Sequence, residues 1–265
     1  MDNALSARGS ATATRSGGDA GTPAKAAPQW QEAAVVEVID EAPDAVTLRL
    51  QLAETSGFLA GQYYNVRLGV PGRPRPVQRA YSVGSSPAPD ASVIDLGVRA
   101  VPGGLVSPRL VGDLSAGQYL CVRGPYGRFT WTRDDPGAVL LVGAGSGLVP
   151  LMSMLRYAVV SGRTEPVWLV CSATTYDHAF YREELALLAA SEPWLGVTHC
   201  VTRNPTEPRA TYHRRVDREV LAEVLGGALP ARAYLCGPPA MVDAVAAALG
   251  EFGVDPGAVF TEKYD

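Results

Sequence analysis

Hydrophobic and polar positions divide this chain into two rhythms. Across the first half, apolar positions come in short runs bounded by turn residues. They predict strands over 33–39, 45–52, 61–68, 79–83, 93–99 and 118–122. A turn at Glu41-Ala42-Pro43-Asp44 joins the first two, and the proline-rich stretch 71–76 forms a stiff loop between the third and fourth. Gly103-Gly104 opens one short helix that runs to Leu110, and Arg123-Gly124-Pro125-Tyr126-Gly127 ends the sixth strand. Six short strands with turn signals between them predict an antiparallel β-barrel. Beyond Asp134-Asp135-Pro136-Gly137 the rhythm alternates. Strands over 138–142, 166–171, 196–201, 232–235 and 258–262 flank helices over 150–160, 178–189, 216–224 and 239–250. That order predicts a doubly wound α/β domain with a parallel sheet. The expected organisation is therefore a disordered tail over 1–28, a barrel domain over 29–134 and an α/β domain over 135–265.

The first strand of the second half carries the strongest local signal. Val139-Leu140-Leu141-Val142 is apolar throughout, as a parallel strand covered on both faces requires. Gly143-Ala144-Gly145-Ser146-Gly147 follows, and Pro150 then sits in the first turn of a helix, where its missing N–H is not needed. A strand, a glycine turn and a helix start present N–H groups to a phosphate. The spacing departs from G-x-G-x-x-G, because Leu148 or Pro150 stands where a third glycine is sought. In a doubly wound sheet ligands lie at the carboxyl ends of the strands, where Gly143, Cys171, Thr202 and Cys236 fall.

Composition narrows the function classes. The 265 residues suffice for two medium domains, and the net charge of −4 gives no reason to expect nucleic acid. No apolar run is long enough for a membrane span, and the first 28 residues lack the apolar segment of a secretory signal. The tail is too small and polar to fold by burial. Cys121, Cys171, Cys200 and Cys236 are too scattered for a zinc or iron–sulfur motif, so no metal is expected. A cytoplasmic monomer with reduced thiols is the expectation.

Five motifs occur in order: Arg79-Ala80-Tyr81-Ser82, Gly124-Pro125-Tyr126-Gly127, Gly143 to Pro150, Cys236-Gly237-Pro238-Pro239-Ala240-Met241, and Glu262-Lys263-Tyr264. Together they resemble the ferredoxin–NADP reductase superfamily over about 230 residues. The resemblance implies a FAD-binding barrel followed by an NADP-binding domain, with hydride passing between nicotinamide and flavin where the two meet. It places Arg79, Ala80, Tyr81 and Ser82 on the flavin, with Ser82 near the reacting nitrogen. Leu96, Gly97, Val98 and Arg99 would flank the flavin or its tail, and Gly104, Leu105, Val106 and Ser107 would meet the pyrophosphate. Gly143, Ala144, Gly145, Ser146 and Gly147 would meet the nicotinamide nucleotide, together with Cys236 and Gly237. Ser82, Cys236, Glu262 and Tyr264 are the expected catalytic set, with Tyr264 covering the flavin. Asp265 extends one residue past the aromatic that ends many relatives.

The chemistry of these residue types agrees with those roles, although each has a plain structural alternative. Arginine pairs bidentately with phosphate, yet Arg79 also reads as an edge-strand charge. Tyr81 offers a flat face for a ring or a barrel-core packing surface. Cys236 at a strand end reads as positioning or as packing. For the nucleotide's 2′-phosphate, Thr202 and Arg203 are candidates, with Tyr212 and one of Arg209, Arg214 or Arg215. No carboxylate closes Cys171-Ser172-Ala173-Thr174, where a ribose diol would look for one. The predicted activity is transfer of hydride from NADPH to FAD and of electrons onward to an iron–sulfur or flavodoxin-type acceptor protein. Arg73, Arg75 and Arg128 could form a positive docking rim. The alternatives are a stand-alone oxidoreductase acting on small molecules or oxygen, and a non-enzymatic nucleotide-binding redox sensor.

Overall fold

The structure, a computed structural model, describes residues 27–55 and 57–264. Most of the expected tail, up to residue 26, lies outside the described residues. In the first half β1 (Gln31–Ala42), β2 (Ala45–Leu52), β3 (Tyr63–Leu68), β4 (Val77–Ser82), β5 (Val93–Arg99) and β6 (Tyr119–Tyr126) form one antiparallel sheet ordered β4-β3-β6-β1-β2-β5. The sheet closes on itself where Val83 bridges Leu96 and the Gly84 N–H donates to the Asp95 carbonyl at 2.7 Å. Closure follows from alternation: Ala33, Val35, Leu48, Leu50, Val66, Ile94, Leu96, Val98, Leu120 and Val122 point inward and make one buried core. One helix, α1 (Ser107–Gly112), packs its Leu110 against that core.

The sixth strand does not stop at Val122. It runs on through Gly124 and Pro125 to Tyr126. The pairing with β3 shifts between Tyr63 and Asn65, so a bulge absorbs the proline that has no N–H for the ladder. Gly124 leaves room for the ring of buried Tyr64: a Cβ there would sit 2.6 Å from Tyr64 Cγ.

In the second half β7 (Val139–Ala144), β8 (Val167–Ala173), β9 (Leu195–Val201), β10 (Arg232–Gly237) and β11 (Val259–Lys263) form a parallel sheet ordered β11-β10-β7-β8-β9. The helices are α2 (Leu148–Val160), α3 (Arg182–Ser191), α4 (Arg218–Leu225) and α5 (Pro239–Glu251). Leu141, Val167 and Leu169 face the core under α2 and α3, whereas Leu140, Val142 and Val170 face α4 and α5. Both faces are covered, which is why the central strand β7 reads as an unbroken apolar run, whereas the edge strands β9 and β11 carry His199 and Glu262.

Two helix starts differ from the expectation. The glycine segment is wound, not looped: Gly145–Gly147 is a 3-10 turn that runs directly into α2 at Leu148, with Pro150 still inside the first turn. The helix expected from residue 178 begins at Arg182. Tyr176–His178 is a separate 3-10 turn, and Tyr181 has φ 56°, a left-handed conformation that no helix pattern announces.

Candidate active site

A cleft of about 660 Å³ opens between the barrel and the carboxyl ends of the parallel strands. The barrel lends Tyr63, Arg79, Ala80, Tyr81, Ser82, Gly97, Arg99, Val101 and the stretch from Gly104 to Ser107; the second half lends Ser146, Glu262, Lys263 and Tyr264. Tyr81 is half-buried, and burial pushes its hydroxyl up to about 12, so it is neutral at physiological pH. Arg79 is exposed and donates to the Gln78 carbonyl at 2.8 Å, which leaves most of its guanidinium fork available. Arg99 is held by Asp44 at 3.0 Å and by the His178 carbonyl at 2.6 Å, with its Nε buried and unpartnered. Ser107 Oγ accepts the Val101 N–H at 3.1 Å, bracing the loop ahead of α1 while keeping its own proton to donate.

Leu96 and Val98 are not in the cleft. Both are fully buried in the barrel core, because alternation along β5 sends their side chains inward and leaves Gly97 and Arg99 on the cleft face. Tyr63 and Val101 line the cleft although no motif marks them, and Lys263 lines it between two motif residues that carry expected roles. For Tyr63 the signal lay in register, since it pairs directly with Ser82 across β3 and β4. Val101 follows β5 as an exposed apolar residue, at 52 % accessibility.

The strand-end residues of the second half gather around Tyr264. Its hydroxyl donates to the Ala144 carbonyl at 3.0 Å and its N–H to the Gly237 carbonyl at 3.3 Å. Cys236 is register partner to both Gly143 and Glu262. Gly147 packs so closely on the Cys236 carbonyl and the Tyr264 hydroxyl that a Cβ would overlap both. Burial holds the Cys236 thiol and the Tyr264 hydroxyl above their ordinary values, so neither ionises near neutrality. The Glu262 carboxyl is also raised by burial, and its Oε2 is buried with no hydrogen-bond partner.

Thr202 and Arg203 lie apart from this cleft, exposed at the end of β9. Their N–H groups bond back to the Ala173 and Thr174 carbonyls. Among the described residues no acceptor engages the Arg203 guanidinium. Of the neighbouring arginines, Arg215 is likewise exposed with no ion pair among the described residues, whereas Arg209 and Arg214 are engaged. Arg209 is held by Glu207 and Asp177 and lies over the Tyr176 ring at 4.2 Å; Arg214 is held by Glu219 at 2.8 Å. The Tyr212 hydroxyl donates to Glu223 at 2.7 Å. Asp177, far from Arg209 in sequence, and the α4 glutamates thus reach this corner, which a reading of the strand ends alone does not show.

Comparison with known proteins agrees with the geometry. Residues 32–131 match the oxidoreductase FAD-binding domain family and residues 141–247 the oxidoreductase NAD-binding domain family. The chain is 36% identical over 234 residues to the ferredoxin–NAD(P)(+) reductase component of the naphthalene 1,2-dioxygenase/salicylate 5-hydroxylase systems of Ralstonia sp., covering 86% of this chain and 67% of that one. It is 34% identical to ferredoxin–NADP reductase B of Sorangium cellulosum, covering 88% and 97%. Among solved structures, an Amycolatopsis cytochrome P450 reductase superposes with a TM-score of 0.78 at 30% identity, over 89% of this chain and 70% of that one. Several oxygenase-system relatives are longer, and the chain spans 64% to 67% of their length. A flavin-type barrel joined to a nucleotide-type sheet, with relatives of this identity, makes the chain an oxidoreductase that belongs to the ferredoxin–NADP reductase superfamily.

Proposed function

We propose that this chain is a flavoprotein reductase that passes a hydride from NADPH to FAD and electrons onward to an iron–sulfur or flavodoxin-type acceptor protein. One observation carries the reading: a single cleft joins Arg79 to Ser82 of the barrel with Ser146, Glu262 and Tyr264 of the second half. The flavin domain is assigned to residues 29–134 and the nucleotide domain to 135–265.

The residues fit FAD. The cleft volume lies in the range of cofactor sites, about 300–1,000 Å³. Tyr63 and Tyr81 bring aromatic rings to its wall, and Arg79 and Arg99 bring cations suited to a pyrophosphate. At the start of α1 the Ser107 N–H has no acceptor among the described residues, Pro108 has no N–H, and the Arg109 N–H donates to the Val106 carbonyl at 3.0 Å. FAD supplies the hydride-accepting and electron-passing chemistry. The protein binds, orients and excludes water. Ser82 lines the cleft, its hydroxyl makes no hydrogen bond among the described residues, and it would donate to a flavin ring held there. The orphaned Glu262 Oε2 offers an acceptor at the same wall. Tyr264 fills the space against Gly147 and Cys236 and must shift for a nicotinamide to enter. Cys236 stays a neutral thiol that shapes the pocket.

NADPH is favoured by Arg203, the exposed and unengaged cation beside Thr202. For the acceptor, Arg73, Arg75 and Arg128 are exposed and form no ion pair among the described residues, a surface suited to an acidic protein. Two measurements test the reading. Titration of the apoprotein with FAD and FMN, followed by flavin fluorescence, is expected to show tight binding of FAD alone. Arg203→Ala is expected to raise KM for NADPH about tenfold and leave NADH unchanged, as loss of a charge-assisted bond requires. Equal changes for both nucleotides would remove Arg203 from the site.

A further inference from the structure

Where the barrel closes, the second half drives a wedge into it. Gly84 and Gly97 stand on the seam between β4 and β5, beside the Val83–Leu96 bridge. Neither could carry a side chain without displacing the residues packed on it. A Cβ on Gly84 would sit 2.7 Å from Tyr181 Oη, and one on Gly97 would overlap Val149 and lie 3.1 Å from the same oxygen. The notch they form is filled by two buried residues of the second half: Tyr181, and Val149 from the first turn of α2.

Tyr181 is held in this notch through its backbone and across its ring, while its hydroxyl is buried with no hydrogen-bond partner among the described residues. It is the one non-glycine residue with positive φ among the described residues, and its N–H donates to Glu41 Oε2 at 3.0 Å. Glu41 is itself fixed by the Thr47 hydroxyl at 2.7 Å. Arg156 of α2 lies over the Tyr181 ring at 5.1 Å. Its guanidinium forks onto Glu184 at 2.9 and 2.6 Å and donates to the Gly84 carbonyl at 2.8 Å. Three residues earlier in α2, Ser153 donates at 2.7 Å to the carbonyl of Ser85, the residue after Gly84. A left-handed backbone held by a barrel carboxylate and capped by an arginine is a costly arrangement for ordinary packing.

The seam belongs to the cleft. Tyr81 and Ser82 lie just ahead of Gly84, and Gly97 is itself in the cleft wall. On the other side, Val149 lies three residues beyond Ser146, in the helix turn that continues the glycine segment. The wedge therefore ties the barrel wall to the strand ends that carry Ser146, Cys236 and Tyr264. We propose that Tyr181, locked by Arg156, is a positioning residue that sets the distance between the flavin bed and the nicotinamide bed. This rests on the reductase reading above. Hydride transfer needs reacting atoms within about 3–3.5 Å, and a misplacement of about 1 Å can cost about a hundredfold in rate.

The experiment is anaerobic reduction of the FAD-loaded protein over a range of NADPH concentrations, which separates the limiting rate from the nucleotide Kd. Gly84→Ala is expected to lower the limiting rate about tenfold and leave Kd within about twofold. Tyr181→Phe in the Gly84→Ala background removes the oxygen that the new methyl strikes, leaving nearest contacts of 3.3 and 3.5 Å, and is expected to restore most of the rate. Arg156→Met is expected to slow the limiting rate without changing Kd. A Gly84→Ala protein as fast as wild type would overturn the proposal, as would a slow one that Tyr181→Phe does not rescue. If Gly84→Ala cannot be loaded with FAD, Arg156→Met decides alone, and an unchanged limiting rate there would overturn it. A wild-type protein that takes up no flavin would instead count against the reductase reading.

Discussion

Glu262 sits where a carboxylate is least comfortable. Burial raises its carboxyl, and Oε2 has no partner. A group whose folded value lies above its unfolded one favours the folded state at low pH and loses that contribution as pH rises through the raised value. Glu262→Gln is therefore expected to melt higher than wild type at pH 8. The gap should narrow as pH falls toward the ordinary carboxylate range, as thermal melts of the flavin-free protein would show. A constant gap would place the effect outside Glu262 ionisation. At this scale the residue types were legible from the chain: Arg79, Tyr81, Ser82 and Glu262 all line the cleft. Side-chain direction was less so. Leu96 and Val98 lie one position either side of Gly97 and face the opposite way, which depends on the strand's phase and not on the motif.

Elements begin and end where local chemistry allows. Asp217 caps α4 by accepting the Val220 N–H at 2.9 Å, and Gly226 closes the other end at φ 57°. Asp217→Ala is expected to cost about 1 kcal/mol, read by urea denaturation, with the limiting rate of flavin reduction at saturating nucleotide unchanged because no α4 residue lines the cleft. Such caps are visible in a sequence, and so were the five parallel strands, of which the central β7 is an apolar run that needs no partner to be read. What tertiary packing decides was not visible. β6 passes through Gly124 and Pro125 because Tyr64 needs the space and a bulge accommodates the proline. α3 starts late because Tyr181 is drawn into the seam between the halves.

Across the whole molecule, charge is unevenly spread. The chain carries a net −4, yet residues 57–89 and 114–133 hold Arg67, Arg73, Arg75, Arg79, Arg123, Arg128 and Arg133 and no carboxylate. Those stretches contain β3, β4 and β6, the strands that carry the barrel's share of the cleft at Tyr63 and Arg79 to Ser82. Arg67 and Arg123 also lie over the Trp30 ring, at 4.4 and 4.7 Å. An acidic acceptor steered to this face would feel it over a Debye length of about 8 Å at physiological salt. Arg73→Glu with Arg75→Glu is expected to slow electron transfer to an acidic iron–sulfur protein about tenfold at low salt, the two rates converging as salt rises. A salt-independent rate would separate docking from this surface. Two domains and their order could be read from the chain, because each has its own hydrophobic period. The seam that holds them together could not, since Gly84, Gly97 and Tyr181 become neighbours only in the fold.

The most direct test is anaerobic stopped-flow mixing of the FAD-loaded protein with NADPH and, in parallel, with NADH, followed at the flavin absorbance. The expected result is rapid bleaching, faster with NADPH. A protein that holds FAD and is bleached by neither nucleotide at saturation would contradict hydride transfer across this cleft.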